Sequence, residues 1–157
     1  MQPATSAANE PISLTIVREL DAPPALVFRA WTRPEMAARW WGPKGFVTEK
    51  LEMDARTGGR YRHTMRSPEG TLHTKQGVYR EVREPERLVL TYAWEDEAGR
   101  PKHLMLVTVT FEAAGDGTRL TLHHSEFEST TARDLHHGGW SSCLDRFADY
   151  LAEETTR

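Results

Sequence analysis

The segment Gly138–Leu151, GGWSSCLDRFADYL, narrows what this chain can become more than any other. Trp140, Cys143, Leu144, Phe147, Ala148 and Leu151 recur at helical spacing, while Ser142, Asp145, Arg146 and Asp149 fall mostly on the opposite side. Almost everything before it alternates with the period of strands. One long amphipathic helix after many half-buried strands leaves few arrangements: the sheet must bury its apolar face against that helix. Where the helix begins is open between Thr131, where TARD reads as a capping box, and Gly139.

The strand reading runs in order. Ile12, Leu14 and Ile16 alternate with Ser13, Thr15 and Val17, which predicts a strand over 12–20. Asp21 can cap a helix, and Pro23-Pro24 suits a first turn, which needs no amide donors. Two short helices are expected next, one carrying Leu26, Val27, Ala30 and Trp31, the second spanning about 34–40 with Met36, Ala37, Trp40 and Trp41. Six strand-like runs follow, over about 46–54, 60–66, 72–83, 88–94, 105–111 and 120–124, separated by turn-forming sequences such as Thr57-Gly58-Gly59 and Asp116-Gly117. Gly77 inside the third run points to a bulge or a close approach. Runs in series with short turns predict an antiparallel meander, seven strands with the first.

Bulk properties set limits. A chain of 157 residues fits one domain, and at this size roughly 70% of the unfolded surface is buried, enough for one core without staples. We expect a short disordered tail over 1–11 and a single domain over 12–154. Net charge is −3 and the isoelectric point near 6.2, which argues against phosphate-backbone binding, so no nucleic-acid partner is expected. No apolar run approaches the roughly 20 residues a bilayer needs, so no membrane partner is expected either. The opening MQPATSAANEP lacks a charged-then-apolar layout, and Cys143 is the sole cysteine; both fit a cytoplasmic protein. Cys143 sits on the apolar helix stripe and reads as a small buried hydrophobe.

The inward faces are rich in bulky, adaptable residues: Tyr61, Met65, Tyr92, Trp94 and Met105. A sheet curled round a single helix is hard to fill, so these residues suit a ligand cavity, although a packed core uses the same types. His63 and His124 share the inner faces. Trp40 and Trp41 are neighbours, so one is expected buried and the other partly exposed at a lip. With Trp140, Leu144 and Phe147 of the helix, these residues make up the candidate ligand-binding set. Gly138-Gly139 is locally unfavourable in a helix and is expected to mark a bend or a close backbone approach at the cavity mouth. Arg60, Arg62 and Arg66 form an outer, solvated stripe.

The runs DAPPALVFRAWTRPEMAARWWGPKG, GGRYRHTMRSPEG and GVYREVREPERLVLTYAWE, with the ending GGWSSCLDRFADYL, resemble the activator-of-heat-shock-protein-90-ATPase homologue family, of the START-like (SRPBCC) superfamily. The resemblance covers about 12–151. It implies an α+β helix-grip fold: a curved seven-stranded antiparallel sheet wrapped around a long carboxy-terminal helix, two short helices after strand 1, and a hydrophobic cavity between sheet and helix. In the eukaryotic co-chaperone of that family the corresponding domain follows a separate amino-terminal domain that makes the main chaperone contacts. A chain of this length has no room for both, so a co-chaperone-like interaction domain ranks last among the readings.

Specific chemistry is sparse. The seven histidines include the pairs His123-His124 and His136-His137, but neighbours on a strand point to opposite faces and no HExxH, His-x-His or CxxC spacing occurs, so no metal is expected. His137-Gly138-Gly139 has no Gly-x-Ser-x-Gly partner, which removes a serine hydrolase. No glycine-rich phosphate loop occurs and no cofactor is expected. The leading expectation is a carrier or sensor for a small hydrophobic or amphipathic molecule. The alternative is a cyclase- or dehydratase-like enzyme on the same fold, for which His63 and His124 are the inner-face acid/base candidates. Homodimerisation is left open by the sequence.

Overall fold

A computed structural model describes residues 10–156. The tail expected over 1–11 therefore lies, up to residue 9, outside the described residues. Strand β1 (Ile12–Leu20) leads into helix α1 (Pro24–Thr32) and the single turn α2 (Pro34–Ala37). Six strands follow: β2 (Val47–Met53), β3 (Arg60–Arg66), β4 (Leu72–Arg83), β5 (Arg87–Trp94), β6 (Met105–Ala114) and β7 (Gly117–Phe127). Helix α3 (Thr130–Thr155) ends the chain. The strands form one antiparallel sheet in the order β1-β7-β6-β5-β4-β3-β2, a meander whose last strand takes β1 beside it. The helix-grip architecture implied by the resemblance is the architecture observed.

Local chemistry explains the element ends. Helix α3 starts one residue before the earlier of the two expected positions. Ser129 is its N-cap, its hydroxyl accepting from the Ala132 amide at 3.0 Å and satisfying one of the helix's free donors. Helix α1 departs from expectation: its N-cap is Pro23, with no side-chain bond, so Asp21 does not cap it. Pro24 at the first turn fits the missing amide. Helix α2 ends at Ala37 rather than near Trp40, the Trp40 and Trp41 amides both closing onto the Ala37 carbonyl before Gly42 turns the chain at φ 121°.

That early ending changes the Trp40–Trp41 pair. Both are buried, at 0% and 4% exposure, whereas one had been expected at the surface. Freed from a regular helix, the two rings follow separate paths inward. Trp40 packs on Trp31 (ring centroids 4.8 Å) and Phe147 (4.3 Å), its Nε1 donating to the Ala30 carbonyl at 3.1 Å. Trp41 lies over His63 at 5.0 Å and Tyr61 at 5.4 Å. Trp31, Trp40, Phe28, Phe111 and Phe147 thus fill much of the grip between α1, β6 and α3 with aromatic rings in mutual contact.

Gly77 is a close approach. A Cβ built on it would stand 2.0 Å from the Thr91 carbonyl oxygen and 2.6 Å from Tyr61 Cε1. The register irregularity of β4 against β5 falls farther on, between Tyr79 and Glu81. Two arginines of the outer stripe are paired: Arg62 holds Glu95 with two nitrogens at 2.7 and 2.8 Å, and Arg66 pairs with Glu49.

Candidate functional site: an apolar pocket at the amino-terminal half of the long helix

Filling stops short of the end of the grip where α3 begins. There a cavity of about 260 Å³ opens between β3, β4, β5, the loop after α2 and the first half of α3. Its wall comprises Trp41, Gly42, Pro43 and Phe46 from the loop, Met65 from β3, His73 and Lys75 from β4, and Tyr92 and Trp94 from β5. Helix α3 adds Leu135, His136, Gly139, Trp140 and Cys143. Leu135, 73% exposed, marks the side open to solvent.

The loop is fastened to α3 by several hydrogen bonds, Arg146 Nη2 donating to the Arg39 carbonyl at 3.4 Å and Cys143 Sγ to the Trp40 carbonyl at 3.7 Å among them. Arg146 Nη1 donates to the Gly42 carbonyl at 3.0 Å and the Pro43 carbonyl at 3.1 Å. The Lys44 amide donates to Ser142 Oγ at 2.8 Å, and the Gly42 amide to Cys143 Sγ at 3.3 Å. These bonds set the distance between loop and helix, hence the width of the pocket. Gly139 sets its depth. The nearest atom to a Cβ built there is Pro43 Cγ at 3.9 Å, and at Gly138 nothing lies within 4 Å. Neither glycine is demanded by a close approach, contrary to one of the two expected reasons; at Gly139 the absent side chain leaves pocket volume instead.

Of the residues singled out in the sequence, Trp41, Met65, Tyr92, Trp94 and Trp140 are on this wall. Trp40, Tyr61, Met105, Leu144 and Phe147 are buried in the packed core and do not line it. His63 and His124, each 0% exposed, lie behind the wall. His63 Nε2 is 2.9 Å from Thr48 Oγ1, and His124 Nδ1 accepts from Trp140 Nε1 at 2.9 Å. The remaining nitrogen of each, Nδ1 of His63 and Nε2 of His124, has no partner among the described residues. Burial disfavours their charged forms and holds both near a pKa of about 2, so both are neutral across the physiological range.

His136 is the imidazole that does reach the wall. Its Nδ1 lies 2.7 Å from the Ala132 carbonyl, which can only accept, so Nδ1 carries the proton. Its Nε2 accepts from Trp94 Nε1 at 3.0 Å. Both nitrogens are thus committed in the neutral tautomer, in line with a pKa lowered by burial. Cys143 is buried too, and desolvation pushes its thiol up to about 11, away from nucleophilic chemistry.

Sequence reasoning missed Lys75. It is 2% exposed, and its ammonium lies 4.2 Å from the ring centre of Trp41, 5.5 Å from Tyr92 and 5.7 Å from Trp94. Burial lowers its pKa to about 7. The sequence holds half of the signal, the phase of Lys75 with Gly77 and Tyr79 on β4; the other half, its pairing with His63 on β3 and Trp94 on β5, appears only in the folded sheet. Among the described residues no group of three or more His, Cys, Asp or Glu could hold a metal ion, and no helix is long and apolar enough to cross a membrane.

The profile of the family described as "Activator of Hsp90 ATPase homolog 1-like protein" matches residues 21–152. The chain belongs to this family. Solved structures agree. A protein from Chromobacterium violaceum is 30% identical with a TM-score of 0.80, the match covering 87% of this chain and 94% of that one. The AHSA1 protein from Silicibacter pomeroyi is 27% identical with a TM-score of 0.85, covering 91% and 99%. A protein from Nitrosomonas europaea is 28% identical with a TM-score of 0.78, covering 93% and 97%. Among curated proteins none matches. Membership of the family fixes the fold and leaves the contents of the pocket to be argued from its wall.

Proposed function

We propose that this protein binds a small hydrophobic or amphipathic molecule in the pocket between its sheet and α3, as a cytoplasmic carrier or sensor. The observation that carries this reading is the unfilled volume at Gly139, about 260 Å³ of space walled by Trp41, Met65, Tyr92, Trp94 and Trp140 in a core packed with rings elsewhere. Aromatic and thioether walls with a few polar groups suit such ligands. The histidines behind the wall are neutral and His136 is committed at both nitrogens, which favours holding a molecule over proton transfer to it.

The test is saturable binding of the neutral dye Nile red, with Gly139→Leu as the blocking variant. A leucine there extends into the pocket and improves local helix propensity, so the variant folds while its site is filled. Wild type is expected to bind one equivalent, Gly139→Leu none, and Trp94→Ala less tightly than wild type. Dye binding that survives Gly139→Leu unchanged would remove this pocket as the site.

A further inference from the structure

The pocket wall has donors without acceptors. Lys75 and Tyr92 have no hydrogen-bond partner among the described residues, and neither does Trp41 Nε1. No Asp or Glu is on the wall, so nothing there neutralises an ammonium. Lys75 is held only by ring faces, with Trp41 closest. Aromatic faces attract a cation but accept no hydrogen bond of ordinary strength, and a desolvated ammonium without an anion is costly. The groups facing it from every packed element are neutral near pH 7: His63 on β3, Tyr92 on β5, His124 on β7, and His136 and Cys143 on α3. No Asp or Glu acts on Lys75 itself; the charges that reach its neighbours are Arg146 of α3, acting on His63 and Cys143, and Glu128, just after β7, acting on His136. The Lys75 ammonium therefore calls for negative charge from outside the chain.

Resting on the ligand-binding reading above, we propose that the molecule held in the pocket is an amphipathic carboxylate, its apolar body between Trp94 and Trp140 and its carboxylate on the Lys75 ammonium, with the Tyr92 hydroxyl as a second donor. A carboxylate supplies the acceptor oxygens that the wall lacks and converts a buried, unpaired amine into a charge-assisted pair. The free protein tolerates Lys75 because the amine sheds its proton readily, at about pH 7. Binding of the anion then draws a proton back onto it at mildly alkaline pH.

The experiment compares three probes with one apolar body: 4-phenylbutyrate, 4-phenylbutan-1-ol and 4-phenylbutylamine, titrated calorimetrically at pH 8 into wild type and Lys75→Met. Methionine fills the space of the lysine stem, so the variant retains the wall. In wild type the carboxylate is expected to bind about tenfold or more tightly than the alcohol, the amine more weakly than both, and carboxylate binding to take up close to one proton. In Lys75→Met the carboxylate falls to the level of the alcohol or below, the alcohol is unchanged, and proton uptake disappears. Equal affinity for alcohol and carboxylate in wild type, or a preference that persists in Lys75→Met, overturns the carboxylate assignment and leaves the apolar pocket standing. Failure of all three probes and of Nile red overturns both.

Discussion

Lys75 also predicts a specific shape for the stability of the unliganded protein. Its amine has a pKa of about 7 in the fold against an ordinary value of 10.5. Between those values the unfolded chain holds a proton that the folded chain does not, so stability rises with pH, by up to ~1.4 kcal/mol per pH unit. The contribution is complete above the unfolded value and lost as pH falls through about 7. Relative to a neutral side chain, Lys75 then costs ~4 kcal/mol at pH 7 and ~2 kcal/mol at pH 9. Cys143 and the buried tyrosines run the other way, their raised values removing stability only as pH climbs past the ordinary thiol and phenol ranges. Cys143, whose ordinary value of 9.0 lies at the top of the window from pH 7 to 9, is common to wild type and Lys75→Met, so the difference between the two isolates the lysine. Urea denaturation of wild type and Lys75→Met, with no ligand present, should show the advantage of the variant shrinking by about 2 kcal/mol from pH 7 to pH 9. An advantage that is the same at both pH values would refute the claim that this ammonium is desolvated by the fold.

Other consequences are simpler to read. His63 and His124 stay neutral in the fold to about pH 2 while an unfolded imidazole charges near 6.5, so stability is complete above 6.5 and falls with acidification at up to ~2.7 kcal/mol per pH unit; stability flat from pH 7 to pH 4 in a denaturant series would contradict this. Gly77→Ala should destabilise by ~3 kcal/mol or more, because its Cβ meets the Thr91 carbonyl at 2.0 Å and that atom is backbone; a thermal melt within a degree of wild type would show that β4 and β5 separate easily. Gly138→Ala should stabilise by ~1 kcal/mol, since the site is helical and open, and a loss of stability would reveal a contact made there. Trp140→Phe removes the donor to His124 Nδ1 and strands a buried acceptor, for a loss of ~1–3 kcal/mol by chemical denaturation; no loss would mean that the bond is replaced by another.

Much of the architecture was legible because it is written in local periods. Alternation of Leu88, Leu90, Tyr92 and Trp94 marks an inward strand face whatever lies opposite, and Trp140, Cys143, Leu144 and Phe147 mark a helix stripe in the same way. The inward faces of β3 and β5 follow, and with them the pocket residues Met65, Tyr92 and Trp94, as Trp140 follows from the helix stripe. The split between core and pocket was not legible. Tyr61 and Tyr92 look alike in the sequence, yet Tyr61 donates to the Thr91 carbonyl at 2.7 Å inside the core while Tyr92 lines open space. The difference depends on what covers each ring: Trp41 of the loop after α2 lies over Tyr61, whereas Tyr92 meets His136 and Trp140 of α3.

Lys75 shows the boundary most plainly. Its phase with Gly77 and Tyr79 is in the sequence, but a lone charge ordinarily argues for the solvent side of a strand. Only the pairing of β4 with His63 on one side and Trp94 on the other commits it inward. The sequence by itself determined the order of elements, the antiparallel meander and which faces are apolar, because each is a short-range pattern in side-chain polarity. The tertiary structure decided which part of the interior is filled, which is hollow and which charge stands in the hollow, because volume and desolvation are properties of residues brought together from distant parts of the chain.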